Sequence, residues 1–243
     1  MIKGIYTSAS GMLPRILKQE VAANNIANVN STGYKKDGVF MQVLDDVTKD
    51  SIVTDLPWET PMVDDTYTDF TQGPIERTDN DQDFAIEGDG FFTVQTDKGI
   101  RYTRSGDFSI SSQGIVTDSN GNPIQSDSGP IAVASGDFIV GNDGSISCGG
   151  TSVGKLQVVD FDKPYKLKKV ENGYYAPADD SITPKTASNY SIRQGYLEKS
   201  NVNVVETMVD MLTSFRSYEA GQKAIQSQDE TLEKAVTELG RMP

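Results

Sequence analysis

One glycine-rich stretch of the sequence has nearly the composition of a phosphate-binding loop. Residues 149–156 read GGTSVGKL, with glycine at both required places and lysine after the second. Such a loop needs Ser or Thr next, to reach magnesium, and a helix after it; here Leu156 follows and the sequence continues as a strand. Ser152 and Lys155 also fit the S-x-x-K pattern of penicillin-recognising enzymes, but the partner motifs S-D-N and K-T-G are missing. The stretch therefore favours a glycine-rich turn between strands over either activity.

Carboxylates are the other residues with chemical potential. Residues 79–83, DNDQD, begin like a calcium loop, but Phe84 occupies the glycine position and Gly90 the position of the bidentate glutamate. An acidic turn before a strand is favoured, with a weak surface cation site as the alternative. Paired carboxylates could also serve a glycosidase, for example a cell-wall hydrolase, yet no spacing selects a pair. That enzyme class stays a competing hypothesis.

The overall composition excludes several functions. The chain of 243 residues has no histidine, which removes the Ser-His and Cys-His nucleophile pairs. Its single cysteine, Cys148, excludes an intramolecular disulfide and a multi-thiolate metal site. With 35 acidic and 22 basic residues the net charge is −13, which repels nucleic acids. We therefore predict no catalytic, cofactor or metal site and no nucleic-acid partner.

Both ends of the chain carry the periodicity of an α-helix. Near the N-terminus the apolar or small residues recur at Ile5, Ala9, Met12, Ile16, Ala23 and Ile26. Pro14 interrupts this pattern and predicts a kink or a new helix start there. At the C-terminus one long helix is predicted from about Val202 to Leu239. Its stripe consists of Val204, Met208, Met211, Phe215, Tyr218, Gln222, Ile225, Asp229, Leu232, Val236 and Leu239. A long helix with one apolar stripe needs a partner helix.

The middle of the chain has the alternation of short strands. The predicted strands lie at residues 91–94, 100–102, 108–110, 131–133, 138–140 and 156–161. Turn residues separate them, at 97–99, 113–114, 120–123 and 142–144. Two connectors flank this region: an aperiodic one at residues 45–75, and one rich in lysine and tyrosine at residues 163–189.

These elements predict an α+β fold. Long N- and C-terminal helices are expected to pair as a coiled-coil-like stalk, with a mainly antiparallel β domain inserted between them. Residues 1–44 with 196–243 form the helical domain, residues 45–75 the extended connector and residues 76–195 the β domain. No apolar run has signal-peptide length or the roughly 18 residues of a membrane helix, so we expect neither a cleaved signal nor an integral membrane segment.

A stretch unusually rich in asparagine follows the first helix. Residues 23–36 read ANNIANVNSTGYKK. Asn28, Asn30 and Gly33 are suited to end the helix, with Tyr34 packing back on it. Asn24 and Asn25 lie within the predicted helix, where asparagine is unfavourable, so we expect them to make polar contacts with a neighbouring helix or subunit.

Three segments resemble one known family, the bacterial flagellar rod and hook proteins. Residues 23–35 resemble the N-terminal signature of these proteins. Residues 84–92, FAIEGDGFF, and 102–108, YTRSGDF, resemble the start of their central β domain. Residues 194–203, QGYLEKSNVN, followed by 215–219, FRSYE, are similar to their C-terminal signature.

The resemblance implies a structural subunit, not an enzyme, in the basal-body rod, the shaft that transmits torque from motor to hook. In this family the terminal helices form an inner coiled-coil layer of a helical tube, and the β domain forms the outer layer. The implied partners are further copies, other rod and hook subunits and the flagellar type III export apparatus, through which subunits leave the cytoplasm without a cleaved signal. Localisation in the flagellar basal body follows.

The resemblance also assigns residues to assembly or to family motifs. They are Asn24, Asn25, Ile26, Asn28, Gly33, Tyr34, Gly88, Gly90, Phe91, Phe92, Tyr196, Ser200, Asn201, Val202, Asn203, Met211, Phe215, Tyr218 and Leu232. We place Asn24, Asn25, Asn28, Phe215 and Tyr218 at subunit contacts. Because residues 45–75 lack the longer connector usual in a distal rod subunit, a proximal rod subunit is favoured, with a distal rod or hook-like subunit as the alternative. An adaptor or export chaperone would leave the β-domain motifs unexplained.

Overall fold

The computed structural model describes residues 2–43, 61–133, 138–179 and 181–239. The chain divides into two compact units. The helical unit takes the described residues of Met1–Ala27, Lys36–Asp69 and Val202–Pro243, and the β unit takes those of Asn28–Lys35 and Phe70–Asn201. Of the predicted connector, residues 45–60 lie outside the described residues.

The helical unit contains two helices and a hairpin among its described residues. Helix α1 spans Ile2–Ala27 and continues through Pro14, where we had expected a kink or a new start. Strands β1 (Asp37–Val43) and β2 (Pro61–Thr68) pair antiparallel, and helix α2 spans Val204–Leu239. The side chain of Asn203 caps α2, because its Oδ1 accepts a hydrogen bond from the Glu206 amide at 3.3 Å.

The predicted fold class is wrong. The described residues contain two α-helices, an N-terminal one of 26 residues and a longer C-terminal one of 36. These do not build the coiled-coil-like stalk of two long helices that we predicted. Along the described chain, one helix instead precedes and one follows a mostly antiparallel β region.

The physical reason lies in the face that α2 buries. Its buried and half-buried positions include small or polar residues between the larger ones: Val204, Thr207, Met211, Ser214, Ser217, Tyr218, Gly221, Ile225, Gln228, Leu232 and Ala235. Gly221 faces α1 closely, since a Cβ there would lie 3.1 Å from Cγ of Met12. By contrast Met208, Phe215 and Val236 of the predicted stripe are 49%, 44% and 68% exposed. The continuous apolar seam that a coiled coil requires is therefore not formed.

The β unit contains short strands and one 3₁₀ turn at Glu171–Gly173 among its described residues. The strands are β3 (Ile75–Arg77), β4 (Phe84–Gly88), β5 (Phe91–Thr96), β6 (Gly99–Thr103), β7 (Phe108–Ile110), β8 (Val116–Asp118), β9 (Gln125–Ser126), β10 (Gly129–Pro130), β11 (Phe138–Val140), β12 (Ser145–Cys148), β13 (Thr151–Lys155), β14 (Val158–Asp160), β15 (Leu167–Lys169), β16 (Tyr175–Pro177), β17 (Lys185–Thr186), β18 (Tyr190–Gln194) and β19 (Tyr196–Glu198).

The strands pair antiparallel throughout the described residues. The largest sheet has the order β15-β16-β6-β5-β14-β17, and a second has the order β11-β12-β13. Strands β18 and β4, β19 and β3, β7 and β8, and β10 and β9 form two-stranded pairs. Alternation along β5 sends Phe91 and Phe92 into two different apolar clusters, one around Tyr175 and one around Ile192.

Local turn chemistry agrees with the sequence at several hairpins. Gly149 and Gly150 join β12 to β13 with positive φ angles of 57° and 84°, so the phosphate-loop-like stretch is a turn between strands. Residues 79–83 form a turn before β4, and no cluster of potential metal ligands occurs in the described ranges. Residues 131–133 form only an isolated bridge, from Ala132 to Ile115, where a strand was predicted. Neither described helix is long and apolar enough to cross a membrane.

Candidate functional site

The first buried residue of the asparagine-rich stretch, Asn25, forms hydrogen bonds with the backbone of the segment that follows α1. Asn25 is 6% exposed, and its Nδ2 donates to the backbone oxygen of Asp37 at 2.7 Å. The Asp37 amide in turn donates to Asn25 Oδ1 at 2.9 Å. One side-chain amide thus satisfies both polar groups of a peptide backbone, as a neighbouring strand would. This contact explains why a poor helix former stands in the last turns of α1.

The next residues form a tight turn that belongs to the β unit. The Ser31 amide donates to the Asn28 backbone oxygen at 3.1 Å, and the Ser31 hydroxyl donates to Asn28 Oδ1 at 3.4 Å. Gly33 follows with φ at +65°, and its amide donates to the backbone oxygen of Glu198 at 2.7 Å. A Cβ on Gly33 would lie 2.3 Å from the carbonyl carbon of Arg104. Glycine is therefore required here by conformation and by space.

A buried ion cluster, consisting of Lys35, Arg104 and Glu198, lies directly beyond this turn. Lys35 Nζ is 2.5 Å from Glu198 Oε1, and a nitrogen of the Arg104 guanidinium is 3.2 Å from Glu198 Oε2. The three side chains are 1%, 4% and 0% exposed. Two cations therefore share one anion inside the β unit, where a lost partner would be costly.

Backbone groups form further hydrogen bonds with the cluster. Lys35 Nζ donates to the Thr71 oxygen at 2.8 Å, and the Gly73 amide donates to Glu198 Oε1 at 3.0 Å. Arg104 donates to the Gly88 oxygen at 2.8 Å and to the Ile86 oxygen at 3.4 Å. Glu198 thus binds both cations, and each of the three side chains also binds backbone, while Nε of Arg104 has no hydrogen-bond partner among the described residues. The mutual charge pairing suits a structural role rather than proton transfer to a substrate.

The cluster brings together all three motifs that resemble the rod and hook family. Lys35 comes from the N-terminal signature, Arg104 from the central one and Glu198 from the C-terminal one. None of these three charged residues was among our candidate site residues, although each lies in a motif. Sequence spacing carries no signal for a contact between residues 35 and 198, so only the fold reveals it.

Candidate residues of the central motif pack the β unit. Gly88 and Gly90 have φ angles of +103° and +124°, and a Cβ on Gly90 would lie 2.7 Å from Cγ1 of Val158. Phe91 is 1% exposed and Phe92 is fully buried. The Arg104 guanidinium lies 5.3 Å from the centre of the Phe91 ring, which links this motif to the ion cluster.

Candidate residues near the signatures have varied surroundings. Tyr34 is half-buried, with the Lys169 ammonium 4.0 Å from its ring centre. Tyr196 lies 5.8 Å from the Arg193 guanidinium, and Asn201 Nδ2 donates to the Thr71 oxygen at 3.1 Å. The remaining candidates differ in solvent exposure. Asn24, Asn203 and Phe215 are exposed, Ser200 and Val202 are buried, and Ile26, Met211, Tyr218 and Leu232 are half-buried.

Comparison with known proteins adds matches along most of the chain. The model for the flagella basal body rod protein matches residues 5–35, that for the flagellar hook protein FlgE/F/G D1 domain residues 85–148, and that for the flagellar basal body rod FlgEFG protein C-terminal residues 193–238. The flagellar hook-basal body complex protein FlhO of Bacillus subtilis is 33% identical, over the whole of both chains. The flagellar basal-body rod protein FlgF of Caulobacter vibrioides is 31% identical, also over both whole chains.

The chain belongs to the flagellar basal-body rod protein family. This membership confirms the resemblance inferred from the three motifs, and it makes the protein a structural rod subunit of the flagellar basal body rather than an enzyme. The hydrolase hypothesis has no support. The rod protein FlgG of Buchnera aphidicola from Schizaphis graminum is 32% identical, over 96% of this chain and 98% of its own. These relatives do not distinguish a proximal from a distal position, so the proximal position stays a prediction.

A polar groove of about 580 Å³ in the β unit of this rod protein adjoins the N-terminal signature. Its buried Tyr174 hydroxyl donates to the Asp118 carboxylate and accepts from the side-chain amides of Asn120 at 2.9 Å and Asn122 at 2.8 Å. Burial first, and then the hydrogen bond to Asp118, raise the pKa of the Tyr174 phenol. The phenol therefore stays a hydrogen-bond donor at neutral pH and holds this wall of the groove together.

Asp107, at the rim of the same groove, is expected to destabilise the rod protein when ionised. Burial, followed by the charge of Asp83, raises the pKa of the Asp107 carboxyl. The protonated carboxyl therefore contributes to the stability of the fold below the unfolded pKa of about 3.9, and this contribution is lost as pH rises through the folded pKa. Asp107→Asn should therefore stabilise the protein at pH 7 by no more than about 0.5 kcal/mol after solvent screening. Thermal unfolding at pH 7 and pH 3 measures this, with the exposed turn variant Asp97→Asn as control; an equal gain at both pH values contradicts it.

Proposed function

We propose that this rod protein polymerises with rod and hook subunits through an exposed stripe on α2. The exposed stripe consists of Val205, Met208, Val209, Leu212 and Phe215. The main observation in support of this proposal is that these side chains are 73%, 49%, 58%, 49% and 44% exposed. They recur at intervals of one and three residues, so they line one side of the helix.

The exposed stripe supports assembly on energetic grounds. A contiguous apolar strip on the surface of a soluble protein marks an interaction site more often than a chance exposure. Complete burial of one such side chain contributes about 1.5–3 kcal/mol, so partial burial of five contributes several kcal/mol to each contact. Contacts that join different faces of successive copies do not close, and they generate a helical polymer, as a rod requires.

Replacing Phe215 by aspartate tests this surface. Phe215→Asp should abolish motility and lower the amount of the protein in purified basal bodies by at least tenfold, because a charge would have to be buried at the contact. The fold should persist, since Phe215 already contacts solvent over 44% of its surface. The host strain lacks the gene and expresses the tagged variant; immunoblots of basal bodies and swimming assays are the readouts.

A matched control separates the stripe from the helix itself. Ala224→Asp introduces the same side chain at an exposed position of α2 outside the stripe, and it carries a helix-propensity cost of about 0.7 kcal/mol. This variant should swim. A motile Phe215→Asp strain, or equal loss in both variants, would remove the stripe from the assembly surface.

We propose that the subunit lies in the proximal part of the rod and helps to transmit torque from motor to hook. Support comes from the short sequence between the predicted N-terminal helix and the β domain. Electron microscopy of basal bodies from the deletion strain tests the position. Arrest before any rod forms supports a proximal subunit, whereas a short rod that lacks its distal part supports the distal alternative.

We also propose that the flagellar type III export apparatus carries the protein across the inner membrane without a cleaved signal. Family membership supports this route. In a strain with an inactive flagellar export gate, the tagged protein should remain inside the cell at its full mass. Its appearance in the periplasm of that strain, or a shortened mature N-terminus by mass spectrometry, contradicts the proposal.

A further inference from the structure

The lysine-rich connector contains a local concentration of positive charge in an acidic protein. Residues 163–169 read KPYKLKK, four lysines and no acid, in a chain with 22 basic and 35 acidic residues. Acidic residues stand on either side of this stretch, at Asp162 and Glu171. The four lysines therefore raise the question of which charges they contact.

Two of the four lysines are used within the β unit. Lys163 Nζ lies 2.8 Å from the Asp89 carboxylate. Lys169 Nζ lies 4.0 Å from the centre of the Tyr34 ring and donates to the Lys35 oxygen at 2.6 Å. Their positions follow from contacts inside the subunit.

The other two, Lys166 and Lys168, are exposed and form no ion pair with any residue in the described part of the chain. Lys168 lies in β15 and Lys166 immediately precedes it, where its backbone oxygen still accepts a hydrogen bond from the Ala178 amide at 2.9 Å. The two lysines stand on either side of buried Leu167, so the alternation of an extended chain places both side chains on the face opposite Leu167. Residues two positions apart in an extended chain lie about 7 Å from each other. They present two ammonium groups together on a rigid element.

Strand β15 is the edge of the six-stranded sheet. Lysines on an edge strand also prevent unwanted strand pairing between molecules, and any charged side chain can do this. The two roles make opposite predictions for glutamate at these positions. Edge protection would survive the exchange of charge sign, whereas attraction to an acidic surface would become repulsion.

We propose that Lys166 and Lys168 form a basic docking edge that contacts an acidic surface of a second copy of this chain. The inference rests on the proposed function, because it names a contact within the polymer. Charge complementarity supports a second copy as the occupant: copies of net charge −13 repel one another, and a positive edge against a negative surface reduces that repulsion and fixes the register.

The double variant Lys166→Glu/Lys168→Glu tests the docking edge. A photocrosslinking phenylalanine derivative is placed at Val170, which is 36% exposed and adjoins the edge, in the tagged full chain. Illumination of basal bodies should yield crosslinked species at twice the mass of this chain. The double variant should lower their yield by about tenfold or more, because two attractive pairs become repulsive.

The control Lys155→Glu reverses the charge of an exposed lysine on β13, which belongs to a different sheet from β15. It should leave the crosslink yield within about twofold of the parent, since isolated surface charges contribute little. Equal yields from the double variant and the parent, or an equal fall in the control, would overturn the docking edge. Crosslinks only to a different protein would overturn the second copy as occupant. Absence of the unmodified protein from basal bodies would instead refute the proposed function, so the two failures are distinguishable.

Discussion

Glu198→Gln is expected to lower the unfolding free energy of the β unit by about 3–5 kcal/mol, although it removes only one charge. Glu198 is fully buried and is the anion that Lys35 and Arg104 share at 2.5 Å and 3.2 Å. Glutamine keeps the volume of the side chain but leaves two buried cations without an anion. The NH2 group of the glutamine would also face either Lys35 or Arg104, and both of these are hydrogen-bond donors themselves. The loss follows from this uncompensated charge rather than from a cavity.

The sharing of one anion predicts an order among the variants. Lys35→Met keeps most of the apolar stem of the side chain and leaves Arg104 and Glu198 as a neutral pair. It loses the hydrogen bonds to Glu198 and to the Thr71 oxygen, which we expect to cost about 1–3 kcal/mol. Glu198→Gln should therefore be the more damaging change. Equal losses, or a larger loss from Lys35→Met, would show that the cluster does not act as one anion between two cations.

Chemical unfolding followed by circular dichroism measures these losses, and amide hydrogen exchange assigns them to the β unit. The Gly33 amide, which donates to the Glu198 backbone oxygen, should exchange faster in Glu198→Gln. Glu87→Gln is the matched control, because Glu87 pairs with Arg193 at 2.7 Å while both side chains are about half exposed. It should cost no more than about 1 kcal/mol.

Local structure in this protein could be predicted from sequence where nearby residues determine it. The sequence Asp97-Lys98-Gly99 predicts a tight turn, and it joins β5 to β6 with Gly99 at a φ of +101°. Likewise, the apolar alternation around Phe91 predicts a strand with side chains on both faces. In each case the determining residues lie within a few positions of one another.

The helical unit could not be predicted in the same way. Apolar periodicity selects Met208 and Phe215 as interface residues of α2, whereas the structure uses Thr207 and Ser214 one position earlier and leaves the larger side chains exposed. Small residues allow close approach to α1, a property of the pair of helices and not of either sequence segment. Hydrophobicity alone therefore indicates the wrong side of the helix for about half of its turns.

Local sequence patterns do not predict the ion cluster either. A lysine, an arginine and a glutamate in three distant motifs are ordinary surface residues by composition, and most such residues are exposed. The family motifs indicated that these segments matter, but the favoured candidates in them were asparagines, glycines and aromatic residues. Only the antiparallel pairing of β19 with β3 and the path of residues 33–35 bring the charges together.

Gly33→Ala is the second change from which a large loss is expected. Gly33 has a φ of +65°, a conformation that costs a residue with a Cβ about 1 kcal/mol. Its new Cβ would also lie 2.3 Å from the carbonyl carbon of Arg104 and 2.4 Å from the amide nitrogen of Ser105. Both are backbone atoms, so the backbone would have to move. Overpacking of this kind adds about 1–3 kcal/mol, giving a total loss of roughly 2–4 kcal/mol. The Thr32–Ser105 hydroxyl contact of 2.8 Å should open as well.

Gly149→Ala separates the two causes of this loss. Gly149 has a similar φ of +57°, but no atom lies within 4 Å of the position that a Cβ would occupy. This variant therefore carries the conformational cost alone, about 1 kcal/mol. Thermal unfolding of both variants should show a markedly larger fall in Tm for Gly33→Ala, together with faster hydrogen exchange at residues 33–35. If the two variants melt alike, close packing against Arg104 is not what fixes the N-terminal signature, and the turn is held by its hydrogen bonds alone.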